Sequence, residues 1–118
     1  MTDADPAPPL PPMPLRLLQL AGRRLLPIVQ GGMGVGISAH RLAGSVAAEN
    51  AVGTISSVDL RRHHPDLMEA TSHQRVGVGE AAKAAINAAN LDALGREIRA
   101  ARTLSQGRGL LAVNVMRA

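Results

Sequence analysis

The chain has 118 residues and a formal net charge of +4, and it contains no Phe, Tyr, Trp or Cys. This length allows one small domain, which would bury well over half of the surface of its unfolded chain. Aromatic side chains usually contribute much of a core, so their absence favours a piece of a larger domain built from aliphatic residues and Met. The lack of Cys excludes disulfides, thiolate chemistry and cysteine zinc sites.

The basic residues are almost all arginines, since twelve of the thirteen are Arg. They are scattered along the chain, and no aromatic side chains accompany them for stacking on bases, so they do not predict a nucleic-acid partner. No apolar run approaches the ~20 residues of a membrane span. The N-terminus carries acids and prolines instead of the basic start and apolar stretch of a signal peptide. We therefore expect a cytoplasmic protein with no membrane partner.

The first 24 residues are predicted to form a proline-rich tail and a lead-in segment. Six of the eight prolines lie within residues 1–14, and proline fixes φ and removes amide donors, which predicts an extended tail. Residues 15–25 (LRLLQLAGRRL) predict a short helix that covers one end of a sheet or barrel. Residues 25–118 are then expected to form the single domain.

A strand, a glycine-rich loop and a helix follow in that order. Residues 26–30 (LPIVQ) are continuously apolar up to Gln30, as expected for a parallel strand covered on both faces. Residues 31–36 (GGMGVG), here called the glycine loop, hold four glycines in six positions. Their backbone can adopt positive φ and lie close to a ligand. Ser38 is the predicted N-cap of a helix over residues 39–50. The side chains expected to face the core form an inward stripe on this helix: Leu42, Ala43, Val46 and Ala47.

Two further strands are expected, at residues 51–58 (AVGTISSV) and 109–115 (GLLAVNV), each reached through helical sequence. Two helices are predicted before the last strand, over residues 80–89 and 91–106, with Asn90 capping the second and Gly107 ending it in the left-handed conformation. A strand–helix–strand order implies right-handed crossovers and a parallel sheet.

The segment between the second strand and these helices is expected to be a solvated loop. It contains His63 and His64, with His73 farther on. Adjacent histidines diverge in a helix or a strand, whereas metal ligands recur at spacings that converge on one ion. The sequence therefore predicts no metal site.

Two architectures begin with this element order: the doubly wound sheet and the (β/α)₈ barrel. Both bind ligands at the carboxyl ends of their strands. The run Gly34-x-Gly36-x-x-Ala39 fits the dinucleotide fingerprint, and Asp59 follows the second strand, where an acid would bind a ribose hydroxyl. Against that reading, Gln30 to Met33 lengthen the loop beyond an ordinary Rossmann turn. The pattern alone leaves both architectures open.

A run of linked motifs resembles the nitronate monooxygenase family, formerly called 2-nitropropane dioxygenases. The motifs are PIVQGGMGVG at 27–36, HRLA at 40–43, GTISSVDL at 53–60 and GLLAVNVM at 109–116, and the resemblance covers about residues 25–118. It implies an α/β fold, namely an FMN-binding TIM (β/α)₈ barrel of which this chain would hold about three parallel β/α units. A complete barrel needs roughly 250 residues, so the resemblance implies an N-terminal fragment that is incomplete or inactive by itself.

The activity implied by the resemblance is oxidation of alkyl nitronates by O₂, which gives a carbonyl compound and nitrite. FMN takes an electron from the bound nitronate and then reacts with O₂. The family's phosphate-binding loops and catalytic histidine lie downstream, so no catalytic residue is assigned. The resemblance implies that four residues lie against the isoalloxazine ring: Gln30, Gly31, Gly32 and Met33. It also implies that Asn114 hydrogen-bonds the flavin. Weaker candidates at the same edge are Ser56, Ser57 and Asp59.

Three alternatives remain open at this point. The chain could be an NAD-binding Rossmann-type fragment, in which Asp59 binds the ribose. It could resemble the flavin-dependent enoyl reductases, which share a similar first loop. It could also be a non-enzymatic partner domain that self-associates through the open sheet edge beyond the third strand, because unpaired strand edges invite pairing.

Overall fold

A computed structural model describes residues 16–72 and 79–115. In chain order, the elements are β1 (Leu18–Leu20), β2 (Arg23–Leu25), α1 (His40–Ala48), β3 (Val52–Ser56), a 3₁₀ helix (Leu60–His63), α2 (Pro65–Thr71), α3 (Glu80–Ser105) and β4 (Leu110–Asn114). The predicted α/β class is confirmed, and β3 and β4 pair in parallel. The described residues form no closed barrel. The predicted proline-rich tail, at residues 1–14, lies outside the described residues.

The lead-in segment is a β-hairpin, so the helix predicted over residues 15–25 is wrong. β1 and β2 pair in antiparallel fashion, with Leu18 opposite Leu25. Between them, Ala21 and Gly22 have φ values of 51° and 73°, and two consecutive positive φ values suit a tight hairpin turn and interrupt a right-handed helix. One end of the Arg23 guanidinium donates to two carbonyl oxygens just before β4, those of Gly107 at 2.9 Å and Gly109 at 2.6 Å.

The main sheet has β3 at its centre. Thr54 is paired with Ala112 of β4 on one side. On the other side, the Val52 amide donates to the Ile28 carbonyl at 3.0 Å, and the Gln30 amide donates to the Val52 carbonyl at 2.9 Å. The first predicted strand is therefore present only as a short parallel bridge. All five residues of β3 are buried, as expected for a central strand covered on both faces.

The core lies between one face of β3 and the helices α1 and α3. A Cβ added to Gly53 would lie 1.9 Å from the Ala43 carbonyl oxygen, so this glycine allows β3 and α1 to approach closely. Ile55 lies two residues farther on the same face and is fully buried with Ala43, Ala93 and Ala101. Small side chains thus replace aromatic ones at the helix–sheet interface. Of the predicted inward stripe, Ala43 and Ala47 are buried, and Leu42 and Val46 are half-buried.

The last helix is one continuous element of 26 residues. The prediction of two helices separated by an Asn90 cap is therefore wrong. Alanine-rich sequence on both sides has a high helix propensity that outweighs one Asn. The Asn90 side chain instead accepts a hydrogen bond from the backbone of Arg61, at 3.2 Å. Gly107 has the predicted left-handed conformation, with φ of 73°. No described helix is long and apolar enough to cross a bilayer.

The solvated loop predicted after β3 contains two short helices. Pro65 occupies the first turn of α2, where its missing amide donor costs nothing. Arg61 is only 5% exposed, and its guanidinium donates to Asp59 Oδ1 at 2.9 Å and to Thr71 Oγ1 at 2.8 Å. A buried arginine with two oxygen partners therefore organises a segment whose polar sequence resembles that of a loop.

The close approach at Gly53 gives the first prediction. Replacement Gly53→Ala should lower the free energy of unfolding by about 3 kcal/mol, because backbone atoms of α1 must move to admit the methyl group. The matched control is Gly95→Ala inside α3, where the nearest atom is the flexible end of Arg99 at 3.3 Å. The control should be neutral or stabilising by up to about 1 kcal/mol. Urea unfolding followed by circular dichroism measures both, and equal effects would contradict the packing.

Candidate functional site

The glycine loop leaves the sheet at Gln30 and returns to it at Ser38. The Gln30 amide donates to the Val52 carbonyl, and the Ser56 amide donates to the Ser38 carbonyl at 2.9 Å. Both ends of the loop are therefore attached to the same strand, β3. The loop projects from the carboxyl end of the sheet, the edge at which parallel α/β proteins bind ligands.

The Gln30 side chain fills the gap that the departing loop leaves beside β3. Its Oε1 accepts from the Thr54 amide at 2.9 Å, and its Nε2 donates to the Thr54 carbonyl at 3.1 Å. These two bonds replace those that another strand residue would supply, and a buried backbone requires such partners. The amide of Gln30 is thus directed at the protein backbone, and its contribution to the site is to hold the loop.

Ser38 closes the loop, and the prediction that it is the N-cap of α1 is wrong. The N-cap position is Ala39, which has no side-chain capping bond. Ser38 is fully buried; its hydroxyl accepts from the Met33 amide at 2.8 Å and from Gln30 Nε2 at 3.0 Å, and lies 3.3 Å from the Gly31 carbonyl oxygen. Sequence reasoning missed this role because the hydroxyl bonds backward, into the loop, rather than forward into the helix. Polar residues at both ends of a glycine run were the available signal.

Gly32 and Asn114, predicted from separate motifs, are in contact. A Cβ added to Gly32 would lie 2.8 Å from Asn114 Cβ and 3.3 Å from its Cγ. The Asn114 carbonyl accepts from the Ser57 amide at 3.0 Å, which fixes the end of β4 to the edge of the sheet. The structure therefore brings together the glycine loop and the third predicted strand at one place, with the Asn114 amide beside the loop backbone.

The outer surface of the loop is open and carries free donors. No atom lies within 4 Å of a Cβ added to Gly31, and the Met33 residue is 47% exposed. Within residues 16–72 and 79–115, the backbone N–H groups of Gly31 and Gly32 donate to no protein acceptor. A planar ligand with acceptors on one edge could therefore lie on this surface.

Asp59 is committed to two arginines. Its carboxylate accepts from Arg61 Nε at 2.9 Å and from Arg62 Nε. Burial alone would raise the pKa of Asp59, but the Arg62 hydrogen bond and the charges of Arg61 and Arg62 lower it. Its backbone has a left-handed φ of 46°, which turns the chain into the 3₁₀ helix. Both oxygens are engaged by arginines, so a ribose hydroxyl would have to share an oxygen with one of them.

A second cluster, unforeseen from the sequence, forms around the buried Glu97 of α3. Its Oε2 accepts from the His40 backbone amide at 2.8 Å and lies 2.5 Å from His40 Nδ1, while its Oε1 lies 3.1 Å from His64 Nε2. Glu97 therefore caps α1, the role predicted for Ser38. Glu97 lies on the buried face of α3, four residues from both Ala93 and Ala101. That spacing in the sequence was the signal that a buried carboxylate would need hydrogen-bond partners.

Among the residues that the structure describes, no group of three or more His, Asp or Glu side chains could hold a metal ion. His73, the third histidine of the predicted loop, lies outside that part of the chain. His63 is exposed and lies over Gly36, where a Cβ would be 1.5 Å from its Nε2.

The fold and this edge define an α/β protein with a parallel sheet and a preformed glycine loop over the carboxyl ends of its strands. No protein-family model, curated protein or solved structure matches the chain.

The Gln30 side chain provides the second prediction. Gln30→Glu keeps an acceptor for the Thr54 amide but removes the donor to the Thr54 carbonyl and faces that carbonyl with a negative charge. We expect the free energy of unfolding to fall by about 2 kcal/mol and the Thr54 amide to exchange with D₂O faster. The control is Gln19→Glu in β1, because Gln19 is exposed. Unchanged Thr54 exchange in Gln30→Glu would contradict the pairing.

Glu97 gives a pH-dependent prediction. Burial alone would raise the pKa of Glu97, but the backbone and ring hydrogen bonds of His40 and the charges of His40 and His64 bring it below its ordinary value of 4.5. A carboxylate whose pKa is lowered by folding stabilises the folded state above its unfolded pKa, and this stabilisation is lost as the pH falls through the folded pKa. At pH 7, Glu97→Gln should therefore cost about 2 kcal/mol.

The measurement is urea unfolding of wild type and Glu97→Gln between pH 7 and pH 3. The difference in unfolding free energy should be constant down to about pH 5 and should shrink at lower pH. Glu69→Gln is the control, because Glu69 is exposed on α2 and should show no difference at any pH. A Glu97→Gln difference that does not change with pH would mean that the charge of Glu97 contributes nothing.

Proposed function

We propose that this chain supplies the first three β/α units of an FMN-dependent (β/α)₈ barrel that oxidises alkyl nitronates with O₂ to a carbonyl compound and nitrite. The observation that supports this proposal best is the contact between Gly32 and Asn114. The resemblance assigns both residues to the flavin site, and they lie in motifs about eighty residues apart.

The exposed surface of the loop suits the ring system of a flavin. The free N–H groups of Gly31 and Gly32 can donate to the carbonyl and nitrogen edge of the isoalloxazine, and the Asn114 amide can both donate and accept beside them. Met33 offers a polarizable thioether to the ring face. Bound FMN would supply the electron acceptor for the nitronate.

The loop would bind this ring without much rearrangement. Gln30 and Ser38 already hold the loop ends through hydrogen bonds to one another and to β3. Ordering a mobile loop on binding would cost free energy that a preformed loop does not spend. Gln30 thus acts in the proposed site as a positioning residue, while the backbone of residues 31–33 meets the flavin.

The alternatives predict different partners. A Rossmann-type NAD site needs the Asp59 carboxylate, which is engaged by Arg61 and Arg62. An enoyl reductase-like protein would use the same loop for FMN and differ only in its substrate. Self-association through the sheet edge is favoured by one observation: β4 pairs only with β3 in the described part of the chain, and Val113 and Val115 near that edge are 36% and 76% exposed.

The proposal is tested by titrating the ¹⁵N-labelled chain with FMN and following the amide chemical shifts. We expect weak binding, because the resemblance assigns the phosphate-binding loops to later strands. Shift changes should be concentrated at Gly31, Gly32, Met33 and Asn114. Gly32→Ala should weaken binding by about tenfold or more, because its Cβ would displace the Asn114 side chain and close the gap between them.

The control for this titration is Gly95→Ala in α3, which should bind FMN as the wild type does. NADH titrated in parallel tests the dinucleotide alternative, for which Asp59→Ala should abolish binding. Shift changes by NADH but not by FMN would contradict the proposal. FMN shift changes that avoid the glycine loop, or a Gly32→Ala variant that binds normally, would also contradict it.

The self-association alternative is tested by light scattering on the same samples. A monomer from 10 to 500 μM would argue against it, whereas a defined dimer that dissociates in Val113→Lys would support it, since a charge on an edge strand opposes pairing.

A further inference from the structure

A cavity of about 410 Å³ lies beside the Glu97 cluster, behind the far end of the glycine loop. Three histidines contribute to its wall together with one buried carboxylate and one exposed arginine. Its lining includes Gly36, His40, Arg41, His63, His64 and Glu97.

The hydrogen bonds of Glu97 determine the tautomers of two of these histidines. An ionised carboxylate can only accept hydrogen bonds, so each ring nitrogen facing it must carry a hydrogen. His40 Nδ1 lies 2.5 Å from Oε2, and His64 Nε2 lies 3.1 Å from Oε1. A neutral His40 therefore carries its hydrogen on Nδ1, and its Nε2 has a free lone pair.

We propose that His40 is a proton-accepting residue whose Nε2 faces this cavity, and that Glu97 is the residue that positions it. The His40 side chain is 36% exposed whereas that of Glu97 is 4% exposed, so the imidazole connects a buried carboxylate to solvent-accessible space. A carboxylate behind Nδ1 orients the ring and stabilises the imidazolium that forms when Nε2 takes a proton. The proposal does not depend on FMN.

The ligand class that we assign to the cavity is that of a small acid whose proton His40 can accept. A small weak acid would fit: its X–H bond breaks, the electron pair remains on the conjugate base, and the proton forms the Nε2–H bond of His40. Each element packed against Glu97 contributes charged or titratable groups to the wall. Arg41 comes from α1, and His63 and His64 come from the segment before α2; these side chains face the negative charge of the conjugate base.

Long-range ¹H–¹⁵N correlation spectra of the labelled wild-type chain at pH 8 test the tautomers directly. His40 should be the Nδ1–H tautomer with an unprotonated Nε2, and His64 should be the Nε2–H tautomer. A His40 ring with its hydrogen on Nε2 would overturn the proposal, because Nδ1 would then be the acceptor. This measurement requires no variant that could fail to fold.

The Glu97→Gln variant tests the positioning role. Its amide oxygen can replace Oε2 and keep the bonds from His40, while its NH₂ group replaces Oε1 and donates to His64. His64 should therefore switch to the Nδ1–H tautomer, because a ring nitrogen that accepts from the NH₂ group carries no hydrogen, while His40 should keep its hydrogen on Nδ1. Glu69→Gln should leave both rings unchanged. A Glu97→Gln spectrum in which His64 keeps its hydrogen on Nε2 would overturn the role of Glu97.

Access to the base is tested by diethyl pyrocarbonate, which modifies unprotonated imidazole nitrogens. Peptide mapping of the wild-type chain should show that His40 is modified several times faster than His64, whose side chain is 18% exposed. Slower modification of His40 than of His64 would mean that Nε2 does not reach the cavity, and would overturn the proposal.

Discussion

The hydrogen bonds between the Gln30 side chain and the Thr54 backbone are the interaction on which the functional edge depends. β3 is buried along its whole length, so each of its amides and carbonyls needs a partner. A neighbouring strand would normally supply both partners and would force residues 31 and 32 to run along the sheet. A side-chain amide has the same donor and acceptor as a peptide group, and it releases the backbone to form the glycine loop.

The two loops at this edge are held by interactions of different kinds. The glycine loop is closed by neutral hydrogen bonds among Gln30, Ser38 and the backbone, none of which involves a titrating group. The start of α1 and the segment before α2 are tied to α3 through the ionised Glu97. Acid should therefore weaken the contacts of the helices before it affects the closure of the glycine loop. The shape of the loop surface and the integrity of the histidine cluster are separable properties.

The sequence was sufficient where structure depends on local periodicity. Strand β3, strand β4 and helix α1 lie inside the predicted ranges, and the carboxyl ends of parallel strands placed Asn114 beside the glycine loop.

The errors share another physical origin. Ser38, Asn90 and Glu97 each have side chains that could bond to local or to distant groups, and in each case the structure uses an alternative that spacing does not reveal. Glu97 has partners 57 and 33 residues away along the chain. The hairpin at Ala21 was missed because Ala rarely adopts positive φ.

The glycine loop is a wall shared by both proposed sites. Its first three residues form the open surface beside Asn114, and Gly36, at its other end, lines the cavity in front of His40. Gly36 has a φ of 71°, a conformation that favours glycine, and a Cβ there would displace the exposed His63 ring. Because Ser38 contacts Met33 and immediately precedes the capped start of α1, it is the residue through which the surface that would bind the flavin and the proton-accepting histidine are physically joined.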